Sequence, residues 1–145
     1  MAEQVAPAGG VGVRVVDMKL ELVPIPVADV DRAKAFYADR LGFSVDVDVQ
    51  PADGVRVVQV TPPGSSCSIG FGTGLAAYEG APGSIRALHL VVADIDRARA
   101  DLVDRGVDVE PVVDVGGGVR YAAFADPDGN TLTLQEMAWR TGQAF

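Results

Sequence analysis

The sequence predicts an α+β protein built from two tandem βαβββ modules, and three observations carry that prediction. A seven-residue segment recurs, the same order of apolar runs surrounds each copy, and turn-forming residues separate the runs at matching places. Val27-Ala-Asp-Val-Asp-Arg-Ala33 returns 65 residues later as Val92-Ala-Asp-Ile-Asp-Arg-Ala98, with isoleucine for valine as the only change. Self-similarity at a fixed period marks a duplicated structural unit. At 145 residues with 48% apolar side chains, the chain can bury one substantial core but not several independent ones. A module of under about 60 residues is marginal alone, so the two should share a core or pair across a dimer.

Each module opens on an apolar run of strand type, Lys19 to Val27 and Arg86 to Val92. A helix follows each. Asp29 and Asp94 can accept hydrogen bonds from the orphan amides of the opening turn, and Asp31 and Asp96 add negative charge at the positive end of the dipole. Val30, Ala33, Phe36, Tyr37 and Leu41 make one apolar stripe; Ile95, Ala98 and Leu102 make the other, so each helix should lie on a sheet. The helices should stop near Gly42 and Gly106. Three further strands are expected in each module: Phe43 to Val49, Val55 to Thr61 and Cys67 to Gly72, then Val107 to Val113, Arg120 to Ala125 and Thr131 to Met137. Turns are expected at Pro51 to Gly54, Pro62 to Ser65, Gly116 to Gly118 and Asp126-Pro-Asp-Gly-Asn130. The domain organisation is thus a tail at 1–17, one domain at 18–138 (modules 18–72 and 85–138, hinge 73–84) and a tail at 139–145.

Composition narrows the partners. A formal charge of -8 disfavours phosphate backbones and anionic membrane surfaces, so neither nucleic acid nor membrane is expected. No run of roughly 18 apolar residues is present to span a bilayer, and Met1 to Gly10 lacks the pattern of a signal peptide. One cysteine, Cys67, gives neither an internal disulfide nor a zinc cluster; it reads as a small buried hydrophobe in a cytoplasmic protein.

Strand alternation separates a helix-covered face from an open one. Val23, Ile25, Val27, Leu88, Leu90, Val92, Cys67, Ile69, Phe71, Leu132 and Leu134 belong to the packed faces. The open faces carry Leu20, Leu22 and Pro24; Ser68, Gly70 and Gly72; Ala87, His89 and Val91; Thr131, Thr133 and Gln135. That small, mildly polar set suits an organic ligand held by shape and a few hydrogen bonds. Leu22, Pro24, Ser68, Gly70, Ala87, His89, Thr133 and Gln135 are the candidate ligand-binding residues. His89 is also the candidate base; a histidine merely satisfied by a backbone carbonyl is the alternative. One of Arg120 and Tyr121 should face the ligand, and alternation leaves the choice open, as it does for Arg56 and Gln59. Trp139 either caps a dimer contact or covers the core edge.

The paired strand-Asp-Val/Ile-Asp-helix openings, Phe36-Tyr37 followed by Leu41-Gly-Phe43, and the Asp126-Pro-Asp-Gly-Asn130 turn together resemble the vicinal-oxygen-chelate superfamily. Glyoxalases, ring-cleaving dioxygenases and bleomycin-binding proteins belong to it. The resemblance covers about residues 18–138 and implies a cupped mixed sheet with helices on its outer face. It also implies metal-ligand positions on the first and fourth strands of each module, which fall here on Leu22, Gly70, Ala87 and Thr133. None of these is His, Glu or Gln, and three have no coordinating side-chain atom, so neither metal nor cofactor is expected. With one histidine, a two-histidine iron site is excluded as well. The expected function is metal-free binding of an antibiotic or metabolite by a homodimer. A glyoxalase-type lyase or isomerase using His89 or an atypical metal site is the alternative, and a sensor or assembly domain with a vestigial cup is a third.

Overall fold

The computed structural model describes residues 14–145. Eight strands and two helices follow one another as β1 (Leu22–Pro24), α1 (Val30–Lys34), β2 (Ser44–Ala52), β3 (Val55–Thr61), β4 (Ser68–Thr73), β5 (Leu88–Val91), α2 (Ile95–Asp104), β6 (Val113–Gly116), β7 (Val119–Ala125) and β8 (Thr131–Met137). They form two 4-stranded sheets of identical topology, β1-β4-β3-β2 and β5-β8-β7-β6. In each, the first strand runs parallel to the fourth and the other pairings are antiparallel. The α+β class and the duplicated βαβββ order expected from the repeat are therefore observed.

The helix caps form as the aspartates require. Asp29 accepts from Arg32 N–H and Asp94 from Arg97 N–H, at 3.0 and 3.1 Å. The helix bodies then differ. The repeat offset is 65 at Ala33/Ala98 but 64 at Gly42/Gly106, so the first helix holds one residue more. That residue is absorbed as a π-helical continuation of α1 over Ala35–Arg40, where Leu41 N–H reaches back five residues to Phe36 C=O at 3.0 Å.

One expected strand is corrected. Val107 to Val113 is not continuous: Val109 makes an isolated bridge to Phe124, and β6 begins only at Val113. Glu110 N–H still donates to Ala123 C=O, but Pro111 has no N–H to continue the ladder, while Val107 and Val109 turn into the core. The first strands are also shorter than expected, and residues 14–21 carry no regular structure, so Leu20 precedes the strand. Cys67 lies one residue before β4 and is half-buried rather than buried. The expected N-terminal tail lies largely outside the described residues. The segment between the modules contains a 3-10 turn at Ala76–Tyr78, and another, Gly142–Ala144, lies near the end of the chain.

The helix-covered faces of both sheets feed one shared core, in which Ile25, Tyr37, Phe71, Ile95 and Leu132 are fully buried. Val23, Val27, Leu88, Leu90 and Val92 pack against it, as alternation requires. The Asp126 to Asn130 turn locks the modules together. Tyr37 Oη donates to Asp126 Oδ2 at 2.8 Å, and Asn130 Nδ2 donates to Pro26 C=O at 3.1 Å. Asp128 Oδ1 accepts from Ala28 N–H and Arg32 Nη2 at 3.0 and 2.8 Å. At the other end, Arg40 donates to Gly106 C=O at 3.1 Å and Arg105 to Arg40 C=O at 3.4 Å. Gly42 and Gly106 both have positive φ, and a side chain at either would collide with the opposite guanidinium.

Candidate functional site

The faces of both sheets turned away from the helices, the expected open faces, are only partly exposed: Ser68, Gly70 and Thr133 are buried there, whereas Pro24 and His89 are exposed. The first presents Leu22 beside Ser68 and Pro24 beside Gly70, with Gln59 next in line after Gly70. A side chain at Gly70 would strike Leu22, which places the two on the same face. Ser68 and Thr61 are joined hydroxyl to hydroxyl at 2.7 Å, and Thr61 also bonds the Asp46 carboxylate. A carboxylate only accepts, so Thr61 spends its proton on Asp46, Ser68 donates to Thr61, and the remaining Ser68 lone pair is free to accept.

The second open face presents the rows His89-Thr133-Ala123 and Val91-Gln135-Tyr121. Tyr121 stands edge-on to His89, with ring centroids 5.5 Å apart and planes at 87°. His89 Nδ1 lies 2.6 Å from Ala87 C=O, and Ala87 N–H donates to Thr131 Oγ1 at 2.7 Å. Of the candidate set, Leu22, Pro24, Ser68 and Gly70 lie on one face and His89, Thr133 and Gln135 on the other, while Ala87 precedes β5 with a φ of 57°. Among the described residues no strand pairing or hydrogen bond links the two groups. A cavity of about 430 Å³ runs instead along the free edge of β5, over Leu41, Phe43, Leu90, Leu102 and Leu134. His89 is the one candidate that borders it.

The ambiguity over Arg120 and Tyr121 resolves toward tyrosine. Arg120 turns to the helix side, where it binds Asp96 at 3.0 Å and Glu136 at 2.8 Å. Glu136 also accepts from Ile95 N–H, and that bond, followed by Arg120, holds its carboxyl below the usual range. Gln135 and Glu136 accordingly lie on opposite faces. Arg56 does the same in the first module, binding Asp31 at 2.7 Å and Asp48 at 3.1 Å, which leaves Gln59 to the open face. The repeat contained the signal: Arg56 and Arg120 are 64 residues apart, and each meets the second aspartate of its helix opening. Trp139 is 62% exposed and covers little of the core edge.

The side chains at the metal-ligand positions implied by the resemblance, Leu22, Gly70, Ala87 and Thr133, offer one neutral hydroxyl among them. They do not fit a divalent cation. Among the described residues, no three His, Cys, Asp or Glu side chains converge elsewhere to hold one.

The family model for the Glyoxalase/Bleomycin resistance protein/Dioxygenase superfamily matches residues 19–134. The chain belongs to this superfamily. Among solved structures of the superfamily's fold, the chain is similar to TnmS3, an antibiotic binding protein from Streptomyces sp. CB03234, at 34% identity and a TM-score of 0.74, covering 86% of this chain and 99% of that one. It is also similar to a superfamily member from Sphaerobacter thermophilus DSM 20745, at 33% identity and a TM-score of 0.71, covering 83% and 98%. The uncharacterized protein YwkD of Bacillus subtilis (strain 168) is 27% identical over 124 residues, 79% of this chain and 93% of YwkD. No helix among the described residues is long and apolar enough to cross a membrane.

Proposed function

We propose that this superfamily member is a metal-free cytoplasmic binding protein for a small organic molecule, an antibiotic or metabolite, with its site completed between two chains of a homodimer. The observation that carries the reading is the pairing of metal positions that offer a single neutral hydroxyl with sheet faces lined by small and neutral polar side chains. Such surfaces recognise ligands by shape and a few hydrogen bonds rather than by coordination. Likeness to TnmS3, named as an antibiotic binding protein, supports the ligand class. The dimer is supported by the arrangement of the modules, which turn their open faces away from their shared core and leave β1 and β5 as free edges.

The test is titration of the purified protein with aromatic and glycopeptide antibiotics by calorimetry and by Trp139 and tyrosine fluorescence. Saturable binding unchanged by chelator or by added divalent metal is expected. Tyr121→Ala should weaken it about tenfold or more, the loss of a ring stacked at a ligand face. Arg120→Ala should leave affinity within about twofold, because that guanidinium faces the helix. Chelator-sensitive affinity, or stoichiometric metal in the purified protein, would overturn the metal-free reading.

A further inference from the structure

Three features converge on one atom of the second open face. Ala87 is the one non-glycine with positive φ among the described residues, at 57°, a conformation that costs an L-residue energy and persists only where its surroundings hold it. Thr131 Oγ1 holds it, accepting the Ala87 N–H at 2.7 Å. The Ala87 carbonyl then meets His89 Nδ1 at 2.6 Å. A carbonyl oxygen can only accept, so Nδ1 must carry the proton, and in the neutral imidazole Nε2 is left as a bare acceptor. The Tyr121 ring, edge-on at 5.5 Å, restrains the imidazole from a second side.

We infer that His89 is a specificity-determining residue whose Nε2 accepts a hydrogen bond from the ligand, and that the ligand is a planar aromatic molecule carrying a neutral hydroxyl donor of the phenol type. The inference rests on the small-molecule reading above and adds its ligand chemistry. The surface beside His89 sets the shape. Thr133 and Ala123 continue its row across β8 and β7, both small, so a shallow floor two strand spacings wide, about 10 Å, lies next to the imidazole. A flat ring system of two or three fused rings fits that floor with its hydroxyl at Nε2. Gln135 and Tyr121, in the adjoining row, border the floor with neutral polar groups. A carboxylate or other pure acceptor finds no donor at Nε2 and is disfavoured there.

Two measurements test this on the intact protein. The chain has 1 histidine, so nitrogen-detected NMR at mildly alkaline pH reports a single imidazole. A pyrrole-type Nδ1 and a pyridine-type Nε2 are expected; the reverse tautomer overturns the inference whatever binds. In the second, 2-naphthol and 2-methoxynaphthalene are titrated in parallel. The naphthol should bind about fivefold more tightly, the contribution of one neutral hydrogen bond, and should shift the Nε2 resonance. His89→Ala should abolish that preference, the two probes then binding with equal affinity. Equal binding of both probes by the unaltered protein would defeat the inference and leave the binding-protein reading standing. Binding of neither would defeat the inference, and the antibiotic titration above then decides the binding-protein reading separately.

Discussion

Tyr37 carries two roles on one side chain. Its ring is fully buried in the core, and its hydroxyl reaches the carboxylate of Asp126 in the other module. Burial first, then the charge and hydrogen bond of Asp126, push its pKa far up, so it stays a phenol and a donor at every pH the fold survives. Asp126 in turn accepts from Asp128 N–H, Asn130 N–H and Asn130 Nδ2, which shapes the turn that grips the first module. Tyr37→Phe keeps the ring and removes one charge-assisted bond. A loss of about 1.5–3 kcal/mol in urea unfolding is expected, the range for a hydrogen bond to a charged partner. Asp126→Ala strips several donors of their acceptor at once and should cost more, about 3–5 kcal/mol. A Tyr37→Phe protein as stable as the parent would mean that the contact does not join the modules.

At the scale of elements, each helix is tied to its sheet by an arginine from the third strand of its module and an aspartate of the helix's first turn, Arg56 with Asp31 and Arg120 with Asp96. In the first module Asp48 joins the clamp. Hydrogen bonds from Arg56, then Lys34, bring its carboxyl from the ordinary 3.8 down to about 2. A depressed folded-state pKa stabilises the fold above the unfolded value, and the gain disappears as pH falls from about 4 through about 2. The advantage of the parent over Asp48→Asn should therefore be present at neutral pH and absent near pH 2. It should stay under about 1 kcal/mol, since the pair is solvent-screened, and shrink in high salt. Urea midpoints of both proteins across that range check it.

The elements themselves were readable because the repeat, the cap aspartates and the turn residues are local signals that agree with one another. Two features were not. The π-helical turn shows only as a slip from 65 to 64 residues between the copies, and Pro111 breaks a strand that the valines around it advertise. Within the candidate site, alternation accounts for the core side chains Ile69, Phe71, Leu132 and Leu134, but Ser68, Gly70 and Thr133 on the other parity of β4 and β8 are buried as well. It failed to choose between Arg120 and Tyr121, since either parity offers a plausible side chain until the aspartate partner is located in three dimensions. The Ala87 conformation that orients His89 had no sequence signal at all, because alanine gives no hint of positive φ.

At the scale of the molecule, the proposed homodimer turns on apolar surface that lies outside the core. Val16, Met18 and Leu20 are 71%, 88% and 71% exposed, and they alternate with Asp17, Lys19 and Glu21 up to Leu22 on the open face of β1. Exposed apolar side chains just before β1 are a hazard for a monomer and an asset for a dimer. These side chains are the apolar surface that the proposed homodimer would bury. Sedimentation should give a dimer. The double substitution Met18→Asp and Leu20→Asp should yield a monomer whose circular dichroism is unchanged, since neither side chain belongs to the core. Ligand affinity should fall as dimerisation is lost, by tenfold or more at protein concentrations where the parent stays paired, as each half-site then works alone. A folded monomer retaining full affinity would instead locate the whole site within one chain.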